Sequence, residues 1–142
     1  MKLITTTLAD ALSGLETHIG LAESSLATAD PRLRQAFCTA AIKSFEYTYE
    51  IAIKLIQRVL EEAPGLSTER VDELSFRGVM RHAAERGLIA SSDAWQGFRH
   101  QRNKTSHTYH QPTADEVFAA LPTFVVAARE LLDALEQLRH AS

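Results

Sequence analysis

The stretch SSDAWQGFRHQRNKTSHTYH, Ser91 to His110, decides how the chain folds. Ser91, Ser92 and Asp93 are cap-forming residues, whose short side-chain oxygens accept the free N–H groups of a first helical turn. Trp95, Phe98, Arg102 and Tyr109 then recur at steps of three, four and seven, which is one face of a helix. Gln96, His100, Asn103, His107 and His110 form a second stripe beside it, polar throughout. Gln111-Pro112 ends the run. The spacing predicts an amphipathic helix whose polar face is rich in proton carriers. Tyr109 is expected in the core with its hydroxyl at the rim, as an aromatic on an apolar stripe usually is.

The same signals extend in both directions. Upstream, Gly87 suits the left-handed position that closes a helix running from about Glu69 to Arg86, with Ser67 or Thr68 as its cap. Asp30-Pro31 supplies a cap and a first-turn proline for a longer helix reaching about Glu62. Its main stripe is Phe37, Ala41, Ser44, Phe45, Thr48, Ala52, Leu55 and Val59. Ile42, Tyr49, Ile51, Ile53 and Ile56 make it apolar on other sides too, so this helix is central or meets a second subunit. Leu8, Leu12, Leu15, Ile19, Ala22 and Leu26 mark a first helix from about Thr7 to Ala27. Downstream, Thr113-Ala114-Asp115-Glu116 reads as a capping box opening a last helix from Ala114 to about Arg139, kinked near its second turn by Pro122. No segment alternates as a strand would. The expected fold is all-α, an antiparallel bundle of four to five helices in one domain over residues 1–142.

Composition narrows the function. The chain has 142 residues, of which 45% are hydrophobic, enough for a real core. A single cysteine, Cys38, cannot form an internal disulfide or a thiolate metal cage, and with no secretory pattern and no long apolar run the expected location is the cytoplasm, away from membranes. Net charge is −3, yet residues 76–111 carry six Lys or Arg against two acids, a local +4 that leaves −7 for the remainder. Four of the six histidines lie in that window. A basic patch on an acidic chain suits an anionic partner, although a solvated helix face would look the same.

Arg102 and His107 carry the chemistry. A guanidinium on an aromatic stripe either pairs with an acid or lines a crevice, where its planar fork can clamp a phosphate. An imidazole, with an ordinary pKa of about 6.5, serves as base or acid at neutral pH. Five residues separate the two, about 140° around an ideal helix. Their convergence therefore requires a distorted helix or a second copy of the chain across a two-fold axis. Asn103, four residues before His107, is placed to orient the imidazole or the substrate. A zinc site at His100, His107 and His110 is disfavoured, because no carboxylate lies between Asp93 and Asp115.

RNKTSHTY fits the R-x4-H-x-Y signature of the HEPN superfamily. SFEYTYEIAIK (Ser44–Lys54) resembles the second helix of the nucleotidyltransferase substrate-binding proteins, and AERGLIASSDAWQGFRHQRNKTSHTY (Ala84–Tyr109) resembles their third and fourth. The likeness spans roughly Leu8 to Leu138. It implies a dimeric helical bundle whose partner is a minimal nucleotidyltransferase. Many such pairs look like toxin–antitoxin modules, in which the HEPN chain is a metal-independent ribonuclease and the nucleotidyltransferase silences it. Carried over, the motif places Arg102 and His107 as catalytic residues, Asn103 as support and Tyr109 as the adenylylated tyrosine. Arg99, His100, Lys104 and His110 are the expected substrate contacts. No cofactor or metal is implied. The chain itself lacks the Gly-Ser turn and Asp-x-Asp pair of a nucleotidyltransferase. The alternative is a non-catalytic nucleotide-binding subunit of a two-component nucleotidyltransferase.

Overall fold

A computed structural model describes residues 3–63, 70, 71 and 74–141. These form helices α1 (Thr6–Ala22), α2 (Ser25–Ala29), α3 (Pro31–Glu61), α4 (Phe76–Glu85) and α5 (Ser92–Lys104), a 3-10 turn (Thr105–His107), and α6 (Gln111–Ala141). There is no strand among them.

Local chemistry fixes the ends. Asp30 Oδ1 accepts the Arg32 N–H at 2.9 Å with Pro31 in the first turn, so α3 starts where its sequence predicts. Ser75 Oγ accepts from Gly78 N at 3.1 Å and starts α4. The predicted cap at Ser67 or Thr68 and the start at Glu69 lie outside the described residues, but the helix expected to run on to Arg86 is interrupted at Leu74 and Ser75. At the far end of α4, Gly87 adopts φ 76°, a left-handed value that costs glycine little. The N–H groups of Gly87 and Leu88 bond back to Ala84 and Ala83, the paired closure that satisfies the last carbonyls.

The first helix is shorter than its periodicity implied. It ends at Ala22, and α2 is a separate turn and a half. Ser24 Oγ donates to the Leu21 carbonyl at 2.6 Å, a local bond that competes with helix continuation. Leu26, counted as core by its spacing, is 57% exposed, while Ala27 is buried. The last helix begins at Gln111, three residues before the capping box suggested, and runs unbroken through Pro122.

Side-chain pairs give the directions. Thr5 meets Glu136 and Glu16 meets Arg129, so α1 and α6 are antiparallel. Lys104 meets Glu116 and Trp95 meets Phe124, so α5 and α6 are antiparallel too. α3 packs along α1 and against α6, with α4 and α5 on its flank. Phe124 of α6 stands at the junction. Its ring lies 4.9 Å from Phe45, 5.2 Å from Phe98, 5.8 Å from Trp95 and 6.5 Å from Tyr49, the first three edge-on. This aromatic cluster docks α5 onto α3 and α6 and so positions everything that follows on the chain.

Candidate functional site

α5 opens with Ser91 Oγ accepting the Ala94 N–H at 3.1 Å, as its sequence predicts. Trp95 and Phe98 are buried against Phe124. One step further along the same face, Arg102 reaches the edge of the core and meets two acids of α3. Its Nη2 lies 2.8 Å from Glu50 Oε1, and its Nη1 lies 3.4 Å from Glu46 Oε2. Glu46 and Glu50 are four apart and share a face of α3. The same Nη1 donates to Thr105 Oγ1 at 3.0 Å. Arg102 therefore takes the ion-paired of the two arrangements open to it. The hydrogen bond from Arg102, reinforced by its charge and that of Lys54, holds the Glu50 carboxyl below the usual carboxylate range.

The helix then fails earlier than Gln111-Pro112 implied. It ends at Lys104, and residues 105–107 tighten into the 3-10 turn. Hydroxyl bonds accompany the break. Thr105 Oγ1 donates to the Arg102 carbonyl at 2.7 Å, and Thr108 Oγ1 donates to the Thr105 carbonyl at 3.2 Å. Each draws on a carbonyl that a continuing helix would use. Distortion between Arg102 and His107, one of the two ways they could converge, is thus present. It also undoes expectations built on a straight helix. Tyr109 is not in the core but 87% exposed. The helical one-turn relation of Asn103 to His107 is lost with the helix.

His107 projects into solvent from the 3-10 turn, its ring 6.3 Å from Tyr109 and tilted 70° to it. His100, Asn103 and His110 are exposed as well. The basic residues point to different neighbours: Lys104 pairs with Glu116 of α6, and the Arg99 guanidinium sits 4.7 Å over the Phe76 ring of α4. One copy of the chain thus joins Arg102 to Thr105 and His107 to Tyr109, but it does not gather all the predicted residues into one pocket. Tyr49, beneath the site, is no proton carrier at neutral pH, since burial pushes its hydroxyl up to about 12 against the nearby arginines. Among the described residues no group of three His, Cys, Asp or Glu is arranged to hold a metal ion. No described helix is long and apolar enough to cross a membrane.

Sequence reading missed Glu46, Glu50 and Thr105. The signal was there in part: two acids one turn apart interrupt the apolar faces of the second predicted helix, SFEYTYE. Nothing local says that a residue more than fifty positions away will reach them.

Residues 5–137 match the family described as nucleotidyltransferase substrate binding protein like. The chain is 32% identical over 105 residues to a probable ribonuclease HepT of Haemophilus influenzae, covering 74% of this chain and 71% of that one. A Haemophilus influenzae structure described as the substrate binding domain of a nucleotidyltransferase superposes with a TM-score of 0.85 at 27% identity, over 94% of this chain and 99% of that one. A Thermus thermophilus crystal structure gives 0.71 at 32% identity, over 90% and 98%.

Proposed function

Since the chain belongs to the nucleotidyltransferase substrate-binding protein family of the HEPN superfamily, we propose that it is a metal-independent endoribonuclease, the toxin of a toxin–antitoxin pair. The observation that carries this reading is His107, exposed to solvent just past the end of a helix whose Arg102 is pinned to two acids of α3. The relative described as a probable ribonuclease supports it.

The chemistry uses the RNA itself as nucleophile. A base removes the proton of a ribose 2′-OH, the oxygen attacks the adjacent phosphorus, and the P–O5′ bond breaks. The leaving 5′ oxygen takes a proton from an acid, giving a 2′,3′-cyclic phosphate and a 5′-hydroxyl. His107 serves one proton transfer. A second is needed, and a homodimer with α5 near its two-fold supplies it from the other copy. The outer face of α3 supports such an assembly: Tyr47 is 62% exposed and, with Ile51 and Leu55, lines a groove edged by Lys54, Gln57, Arg58 and Glu61. Asn103 orients substrate at the cleft. Arg99, His100, Lys104 and His110 contact the strand, with Lys104 exchanging Glu116 for a phosphate.

Purified protein should cut single-stranded RNA in the presence of EDTA. Cleavage lost with EDTA would mean a metal enzyme. No cleavage at all would favour the non-catalytic nucleotide-binding subunit, the reading in which the Glu46–Arg102–Glu50 arrangement is purely structural.

Silencing by a minimal nucleotidyltransferase would act at Tyr109. Its exposure leaves the phenol open to a partner enzyme. Attack of the phenolic oxygen on the α-phosphorus of ATP would release pyrophosphate and leave AMP on the ring. The adduct sits beside His107, where it would exclude RNA by bulk and by charge. Tyr109→Phe should still cleave RNA, yet should escape the partner and show no AMP increment in intact mass after coexpression. An unshifted wild-type mass with full neutralisation would instead point to simple occlusion.

A further inference from the structure

Thr108 stands between His107 and Tyr109 in the chain, but its side chain belongs to a different feature. It lines a cleft of about 240 Å³ between the first turns of α3 and the start of α6. Arg34, Gln35 and Thr39 come from α3, Gln111 from α6, and Ile42 forms part of the apolar floor. The volume lies below the roughly 300–1,000 Å³ of a drug-sized pocket and suits a single ring system.

The lining selects the kind of ring. Among the described residues that line it, Arg34 is the one that carries a charge, and its guanidinium lies 5.7 Å from the Phe118 ring centroid. A guanidinium held against an aromatic ring presents a flat cationic surface on which a base can stack. Asp115 offsets that charge: it bonds Gln111 Nε2 at 2.8 Å, and both it and Arg34 act on the Cys38 thiol in the cleft. A phosphate would therefore gain little inside. The other polar groups read edges. Gln35 offers an amide with donor and acceptor, and Gln111 keeps its carbonyl oxygen and a second N–H after giving one to Asp115. Thr39 and Thr108 donate to backbone carbonyls at 3.0 and 3.2 Å, leaving hydroxyl lone pairs as acceptors.

We infer that this cleft is a nucleobase subsite, which takes the base of a nucleotide whose phosphate lies at the His107 turn. Chain geometry sets the scale. Consecutive residues are about 3.8 Å apart, so a base against Thr108 has its own phosphate within reach of residues 107 and 109. The RNA role of the subsite rests on the nuclease reading above, whereas binding of a nucleotide does not.

Cys38 provides the test, because it is the only cysteine and it lines the cleft. Burial pushes its thiol up, so alkylation by a small maleimide is followed at mildly alkaline pH. Saturating nucleoside monophosphates should slow the labelling at least fivefold, with a preference among the four bases, and ribose 5-phosphate should not. Gln35→Ala, at an exposed position, should weaken the protection at least fivefold with an unchanged helical circular dichroism spectrum. Equal protection by ribose 5-phosphate would show a phosphate site and overturn the inference. So would an absence of protection by every nucleotide and by trinucleotides. The two readings fail separately. Protection without cleavage leaves the base subsite standing and sinks the nuclease. Cleavage with no protection, and with base preference unchanged in Gln35→Ala, sinks the subsite alone.

Discussion

His107→Ala should slow RNA cleavage by about 10²–10⁴-fold, the usual worth of a positioned proton carrier, while the unfolding midpoint stays within experimental error. Both halves of the expectation come from the same geometry. The imidazole lies in solvent on the 3-10 turn and its only described ring neighbour is the exposed Tyr109, so truncation opens no cavity. His107 holds the turn through its backbone, its carbonyl accepting the His110 N–H at 3.2 Å, and alanine keeps that backbone. Loss of cleavage together with loss of stability would mean that His107 is structural. Arg102→Ala gives the contrast. It should also abolish cleavage, but it removes one partner each from Glu46, which keeps Lys43, from Glu50 and from Thr105. A further cost of up to about 1 kcal/mol in stability is expected, in the range of partly exposed ion pairs. Arg102→Lys should rescue little, because a single ammonium cannot span both carboxylates as the planar fork does. Wild-type cleavage rates in either alanine variant would remove that residue from the mechanism.

Phe124→Ala should cost about 3–5 kcal/mol, the range for deleting a buried phenyl ring. Phe124 is fully buried and touches aromatic rings from two other helices, Phe45 and Tyr49 on α3 and Trp95 and Phe98 on α5. Phe45, Trp95 and Phe98 cannot collapse into the vacated space without leaving their edge-on arrangement, which adds to the transfer cost. Domains of this kind are stable by about 5–15 kcal/mol in all, so the variant should lose a large part of its margin. At roughly 3–5 °C per kcal/mol for this size, the melting temperature should fall by about 10–20 °C. Chemical denaturation with the slope held constant measures the change. A loss under 1 kcal/mol would show that the aromatic junction is not the centre of the core. Phe124→Leu, which keeps most of the volume, should lose much less.

Helix starts were the most legible part of the sequence, because a cap is a local device. Asp30 before Pro31 and Ser91 before Asp93 both form the side-chain bonds their spacing promises. The buried faces of α1 and α3 follow their periodicity for the same reason, since helix geometry alone determines which side chains share a side. Helix ends were harder. Ser24, Thr105 and Thr108 each bond a nearby carbonyl, and a hydroxyl in a helical pattern does not announce whether it will do so. Once the helix is lost at Lys104, the phase used to place Tyr109 no longer applies. The motif residues were visible as Arg102 and His107, but their surroundings were not. The acids that pin Arg102 come from a helix more than fifty residues earlier, and only the tertiary packing brings the two together.

The pinning of Arg102 has a consequence for ionic strength. Arg102 is already matched by Glu46 and Glu50, whose remaining charge Lys43 and Lys54 offset, and Lys104 is likewise matched by Glu116. A polyanion settling on this surface would displace few condensed counterions, since each phosphate that a protein truly neutralises on a single strand adds only about 0.7 to the log–log salt slope. Grip would then come from stacking and shape, which salt hardly weakens. A ribonuclease built this way would bind its strand in cell-like salt nearly as well as in dilute buffer. It would also have little electrostatic hold on RNA that lacks a base to offer.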